Sequence, residues 1–115
     1  MITVLNDIND FTKIVTANHN VLVDFNATWC GPCRIMGRII EEIKDDYSDI
    51  VFLKVDTDDF GEIAQQFGVM SIPTMIAFQD GKRKYFTVDG EQQEVLIGST
   101  TQDNFEDVLN NTFRK

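Results

Sequence analysis

Val21-Leu22-Val23-Asp24-Phe25 is an apolar run, rich in β-branched residues and interrupted by a single acid. A strand of this kind does not alternate in and out, so both of its faces must be covered, and helices are the usual cover. The flanking sequence supplies them. Ile8, Phe11, Ile14 and Val15 recur at helical spacing before the run, with Asn6 or Asp7 placed as a cap. After it, Met36, Ile39, Ile40 and Ile43 mark one helical face opposite Glu41, Glu42 and Lys44. Ile2–Leu5, Ile50–Val55 and Met75–Phe78 read as further strands, and the acidic turn Asp56-Thr57-Asp58-Asp59 closes the second of these. Phe60, Ile63, Ala64 and Phe67 form a helix face that Gly68 is placed to end, and Phe105, Val108, Leu109 and Phe113 mark a last helix.

Late in the chain, Asp80-Gly81 and Asp89-Gly90 are turn dipeptides. Tyr85–Val88 and Val95–Ile97 look like the two arms of an extended hairpin around the second turn. Strands and helices alternate first and the hairpin follows. The expected fold class is therefore α/β, a central mixed sheet flanked by helices on both faces. No linker, repeat or composition break divides residues 1–115, which read as one domain long enough for a real core.

Nineteen acids against ten bases give a formal charge of −9, a field that repels phosphate backbones and argues against nucleic-acid binding. No apolar run approaches the roughly 20 residues that cross a bilayer, so no membrane segment is expected. Met1–Asp7 shows no basic segment followed by an apolar stretch, so no secretory leader is expected and the anticipated location is the cytoplasm. With two cysteines in the chain, a working pair fits better than a structural bridge across so short a loop.

That pair lies in Trp29-Cys30-Gly31-Pro32-Cys33, between the buried strand and the amphipathic helix. The thiolate is the nucleophile in disulfide exchange, so the site must stabilise negative charge on a sulfur. A helix N-terminus does so through unpaired N–H groups and the positive end of its dipole. Pro32 suits the first turn, where a missing N–H is harmless, and Gly31 lets the backbone turn tightly. The first cysteine is expected to be exposed and the second held deeper. The competing reading of C-x-x-C is half of a zinc site, but zinc takes about four ligands. There is no second pair, and the one histidine, His19, sits in a polar connection.

The segment Val23-Asp24-Phe25, Ala27 and Trp29-Cys30-Gly31-Pro32-Cys33-Arg34 resembles the thioredoxin family's active-site segment. Lys54-Val55-Asp56, Phe67-Gly68-Val69, Ile72-Pro73-Thr74, Gly81 and Gly98 extend the likeness over nearly the whole chain. The resemblance implies a thioredoxin fold and a protein-disulfide reductase, since Gly31-Pro32 is the pattern of reducing members, whereas oxidising relatives usually carry histidine at the proline. It implies that Cys30 attacks, that Cys33 resolves the mixed disulfide, and that Asp24 takes a proton during resolution. From the residues alone, Asp24 is equally a strand-end carboxylate satisfied by backbone or by Lys54, and Lys54 either tunes it or is exposed. The Ile72–Pro73 bond is implied to be cis and, with Trp29, to receive substrate; otherwise Pro73 is an ordinary strand-start proline.

No bound cofactor is expected, because no G-x-G-x-x-G is present. The Cys30–Cys33 disulfide would be reduced by an external NADPH-dependent donor resembling thioredoxin reductase. Disulfide-containing proteins are the expected substrates and a monomer the expected state. The rival reading is a redox-inactive or metal-bridged binding subunit built on the same fold. Three departures from the family stand out. Asn26 lies where many members carry a second tryptophan, and Thr28 replaces an acid often found before Trp29. The stretch 82–97 is longer than the usual connection and places Lys82, Arg83 and Lys84 beside Tyr85-Phe86. That patch is either a solvated hairpin or a surface for a particular partner.

Overall fold

A computed structural model describes residues 1–114. In chain order the elements are β1 (Ile2–Val4), α1 (Asp10–Ala17), β2 (Asn20–Asn26), α2 (Gly31–Ile43) and a 3-10 turn (Lys44–Tyr47). There follow β3 (Val51–Asp56), α3 (Gly61–Gln66), β4 (Thr74–Gln79), β5 (Lys82–Lys84), β6 (Phe86–Val88), β7 (Glu91–Gln93), β8 (Leu96–Ile97) and α4 (Gln102–Phe113). The main sheet runs β1-β3-β2-β4-β5, with β8 also on β4. The β1–β3 and β2–β3 pairs are parallel, and β4 is antiparallel to β2, β5 and β8. This is the mixed sheet that the sequence pattern required.

Both faces of β2 are covered. Leu22 joins Met36, Ile40, Ile43, Phe105 and Leu109 in one core, beneath α2 and α4. Val21, Val23 and Phe25 join Phe11, Val15, Ile63 and Phe78 in the other, beneath α1 and α3. The period-two alternation of the strand therefore sorts the run between two apolar layers. Asp24 falls on the same face as Leu22, the α2 side.

Two details differ from the sequence expectation. The first helix begins at Asp10 after Asn9, not behind Asn6 or Asp7. Asp7 instead closes the preceding turn, its carboxylate accepting from the Asn9 N–H at 2.9 Å, and Ile8 is left exposed ahead of the helix. Secondly, Tyr85–Val88 does not pair with Val95–Ile97. Asp89 and Gly90 both have positive φ, 50° and 81°, as a two-residue hairpin turn needs. So tight a turn sets Phe86–Val88 against Glu91–Gln93, while Leu96 and Ile97 return to β4 opposite Met75 and Thr74.

The register gives that detour a size. Lys84 lies opposite Ala77 and Leu96 opposite Met75, so one residue facing Ile76 would make the edge strand continuous. The chain uses Tyr85–Val95 instead, eleven residues where one would serve. The β6–β7 hairpin is thus an insertion within an edge strand. Phe86 anchors it in the α2–α4 core, and the Thr87 N–H donates to Thr112 Oγ1 on α4 at 3.0 Å. Arg83 closes its neck, donating to the Glu94 carbonyl at 3.1 Å with its guanidinium over the rings of Phe67 and Phe78.

Candidate active site

The buried central strand β2 ends at Asn26, and α2 starts five residues later. Cys30 is the residue before that helix, in extended conformation, and its Sγ accepts the Cys33 N–H at 3.2 Å. The sulfur therefore occupies the capping position that a serine or aspartate oxygen commonly fills, where an unpaired N–H and the helix dipole both favour negative charge. Gly31 and Pro32 form the first turn, and the Arg34 N–H donates to the Cys30 carbonyl at 3.2 Å. The two sulfurs are joined as a disulfide, with Cα atoms 5.2 Å apart.

In this oxidised pair both cysteines are only 5% exposed, so the expected contrast between an exposed first and a deeper second cysteine is absent. The bond to Cys33 covers one side of Cys30, while Ala27 and Ile72 pack around the pair. Cys30 Sγ lies 3.7 Å from the Ile72 carbonyl oxygen, a contact the reduced thiol can make as a donor. The Ile72–Pro73 peptide is cis and Pro73 is buried, directly ahead of β4. The Gly98 N–H donates to the Pro73 carbonyl at 2.9 Å, which ties the end of β8 to the same place. Gly98 has φ of 86°, a conformation that suits glycine.

Asp24 is fully buried and neither carboxylate oxygen has a hydrogen-bond partner among the described residues. The reading of a carboxylate satisfied by backbone or by Lys54 therefore does not describe it. Burial pushes its pKa up to about 6, and the Lys54 ammonium pulls it partly back down. Lys54 lies opposite Asp24 in the β2–β3 register, and its Nζ approaches Gly37 on α2. Cys33, Arg34, Gly37, Arg38, Asn26 and Lys54 line an open groove of about 490 Å³. With Asn26 in place of a bulky aromatic, this groove opens beside the second cysteine.

Trp29 is 68% exposed and donates from Nε1 to Asp58 Oδ2 at 2.9 Å. With Ala64, Val69, Met70 and Ile72 it lines a shallow depression of about 370 Å³. Met70 is 97% exposed there. The sequence reading did not single out Met70 or Asp58. An exposed methionine just before Ser71-Ile72-Pro73 was the available signal for the first. The Trp29–Asp58 bond spans 29 positions and had no local signal. His19 sits ahead of β2, away from the cysteines, with Nδ1 2.6 Å from Asp80 Oδ1. Among the described residues no group of three or more histidines, cysteines or carboxylates is placed to hold a metal. Nor does any helix there have the length and apolarity to cross a membrane.

Comparison with known proteins agrees with this geometry. The family described as Thioredoxin matches residues 2–102. The chain is 48% identical over 91 residues to the thioredoxin of Mycoplasmoides gallisepticum, covering 76% of this chain and 91% of that one. It is 46% identical over 89 residues to thioredoxin 1 of Synechococcus elongatus, covering 76% and 82%. The solution structure of oxidised thioredoxin from Plasmodium falciparum superposes with a TM-score of 0.77 at 26% identity, over 96% of each chain.

Proposed function

The chain belongs to the thioredoxin family and is a thiol–disulfide oxidoreductase acting as a protein-disulfide reductase, and from that premise we propose how its residues divide the work. The Cys30 thiolate, held by the Cys33 N–H and the α2 N-terminus, attacks one sulfur of a substrate disulfide. A mixed disulfide forms and the first substrate thiolate leaves. Asp24, ionised above its pKa of about 6, takes the Cys33 proton, through water in the groove beside Lys54. The Cys33 thiolate then attacks Cys30, closing the Cys30–Cys33 disulfide and releasing the second substrate sulfur as a thiolate, and the proton on Asp24 passes back out through water. Two electrons have passed from the dithiol to the substrate.

Trp29, Ile72 and Pro73 receive the substrate backbone next to Cys30, and Gly31-Pro32 favours the reducing direction. No resident cofactor is needed for these steps; an external NADPH-dependent, thioredoxin-reductase-like donor restores the dithiol. One chain supplies both sulfurs and the carboxylate, so a monomer suffices. A cytoplasmic place of action suits a chain whose only two cysteines are the working pair. The binding-subunit alternative is not favoured, because both cysteines are present at the family's active-site position.

The capping bond from the Cys33 N–H to Cys30 Sγ carries this reading, and cysteine variants test it. Cys30→Ser abolishes reduction of insulin by dithiothreitol-regenerated protein, while Cys33→Ser still attacks and accumulates mixed disulfides visible on non-reducing gels. Turnover left at the wild-type level in both variants would defeat it.

A further inference from the structure

The inserted β6–β7 hairpin packs against α4 through Phe86 and Thr87. Between it, the β8–α4 connection and α4 runs a cleft of about 400 Å³. Met36, Met75 and Phe105 contribute to it from the core side, and Val88, Asp89 and Asp107 from the hairpin and α4. We infer that this cleft is a second docking site on the substrate face, and that it takes a basic segment flanking the disulfide of a partner protein. The inference rests on the reductase reading above and narrows its class of substrate.

Three observations converge on it. The cleft neighbours the disulfide site: Met36 lies one helical turn beyond Cys33, and Gly98, one of its lining residues, is hydrogen-bonded to Pro73. Ile97, 66% exposed, lines the cleft directly before Gly98. The cleft is also firmly built, since Phe86 is fully buried, Thr87 is bonded to Thr112, and Arg83 closes the hairpin's neck.

Its chemistry is selective as well. Among the described lining residues are two carboxylates and no lysine or arginine, in a chain of formal charge −9. That field repels phosphate and acidic peptides and attracts cations. Lysine and arginine can lay aliphatic stems along exposed Ile97 and half-buried Leu96 and Val88 while their charged heads meet Asp89 and Asp107. Of the basic residues just before the insertion, Arg83 is engaged with Phe67, Phe78 and Glu94, and Lys82 and Lys84 are not among the cleft's lining residues.

The test uses two disulfide-containing peptides that differ only in the flank, one carrying lysines and arginines and the other neutral. Prereduced protein is mixed with each and the reaction is quenched and resolved by chromatography. The basic peptide is expected to be reduced roughly fivefold faster at low salt, with the advantage fading at about 0.5 M salt. Asp89→Asn combined with Asp107→Asn abolishes the advantage and leaves reduction of a small aromatic disulfide unchanged; asparagine tolerates the positive φ at position 89. Asp10→Asn with Glu62→Gln, an equal loss of charge on the α1 and α3 side, keeps it. Equal rates for the two peptides in the wild type would overturn the inference. So would a preference that survives in the cleft variant or disappears equally in the control, since either would make it an effect of overall charge. Failure to reduce even the small disulfide would instead overturn the reductase reading beneath it.

Discussion

Asp24 on β2 lies opposite Lys54 on β3, yet its carboxylate accepts no hydrogen bond from Lys54 or from any other described residue. Burying an acid without hydrogen-bond partners costs stability. Its pKa is raised from 3.8 to about 6, chiefly by desolvation. The folded protein thus binds this proton more tightly than the unfolded chain does. The associated stability is fully present below about pH 3.8 and is lost as pH rises through about 6.

Asp24→Asn should therefore stabilise the oxidised protein by about 3 kcal/mol at pH 8, the equivalent of the shift, and by little near pH 4. Urea denaturation at the two pH values measures this. A gain of equal size at both would mean that ionisation is not its origin.

Lys54→Met removes the charge that pulls the Asp24 pKa down, so its midpoint should move above about 6. Resolution of a preformed mixed disulfide should then slow severalfold between pH 6 and 7 and recover toward pH 8. The wild type should lose rate only as pH falls through about 6, and Asp24→Asn should be slow with no such acid limb. Rapid-quench pH profiles of the three proteins distinguish these shapes, and a Lys54→Met profile overlying the wild type would exclude the tuning role.

Phe86 is in the insertion but fully buried in the main core. Phe86→Ala should cost about 3–5 kcal/mol, the range for emptying an aromatic core site. Tyr85→Ala, at an exposed neighbour, should change stability by no more than about 0.5 kcal/mol. Equilibrium denaturation of both variants checks the contrast. A small loss at Phe86 would show that the hairpin is an appendage with no part in the cooperative fold.

Trp29 offers the opposite case, a large side chain with little of its surface covered. Trp29→Ala should leave the unfolding midpoint within a few degrees of the wild type. It should lower kcat/KM for a protein disulfide severalfold while affecting a small aromatic disulfide much less. Equal losses on both substrates would place the effect on Cys30 itself instead of on docking.

The strand Val21–Phe25, the α2 stripe and the cysteine pair were legible because each is a local pattern: a period, a cap, a four-residue spacing. The turn dipeptides Asp80-Gly81 and Asp89-Gly90 were legible for the same reason. The partner of β6 was not. Val95–Ile97 has the stronger apolar character, but the two-residue turn gives Glu91–Gln93 the pairing before that character can act. Asp24 could be picked out as an anomaly from the sequence, whereas its lack of partners depends on how β2, β3 and α2 meet. Arg83 read as part of a basic patch, and only the positions of Phe67, Phe78 and Glu94 show that it is a clasp.

The broken edge beside β4 has a bearing on how the protein behaves in a crowd. A sheet's outermost strand is a template for unwanted pairing with other chains, and long flat edges invite it. Here that border is cut into a three-residue piece carrying Lys82 and Lys84 and a two-residue piece at Leu96–Ile97, with the hairpin projecting between them. Neither fragment is long enough to recruit a neighbour's strand, and β1, at the opposite border, is also only three residues long. The detour that shapes the cleft thus also leaves the sheet with only short borders.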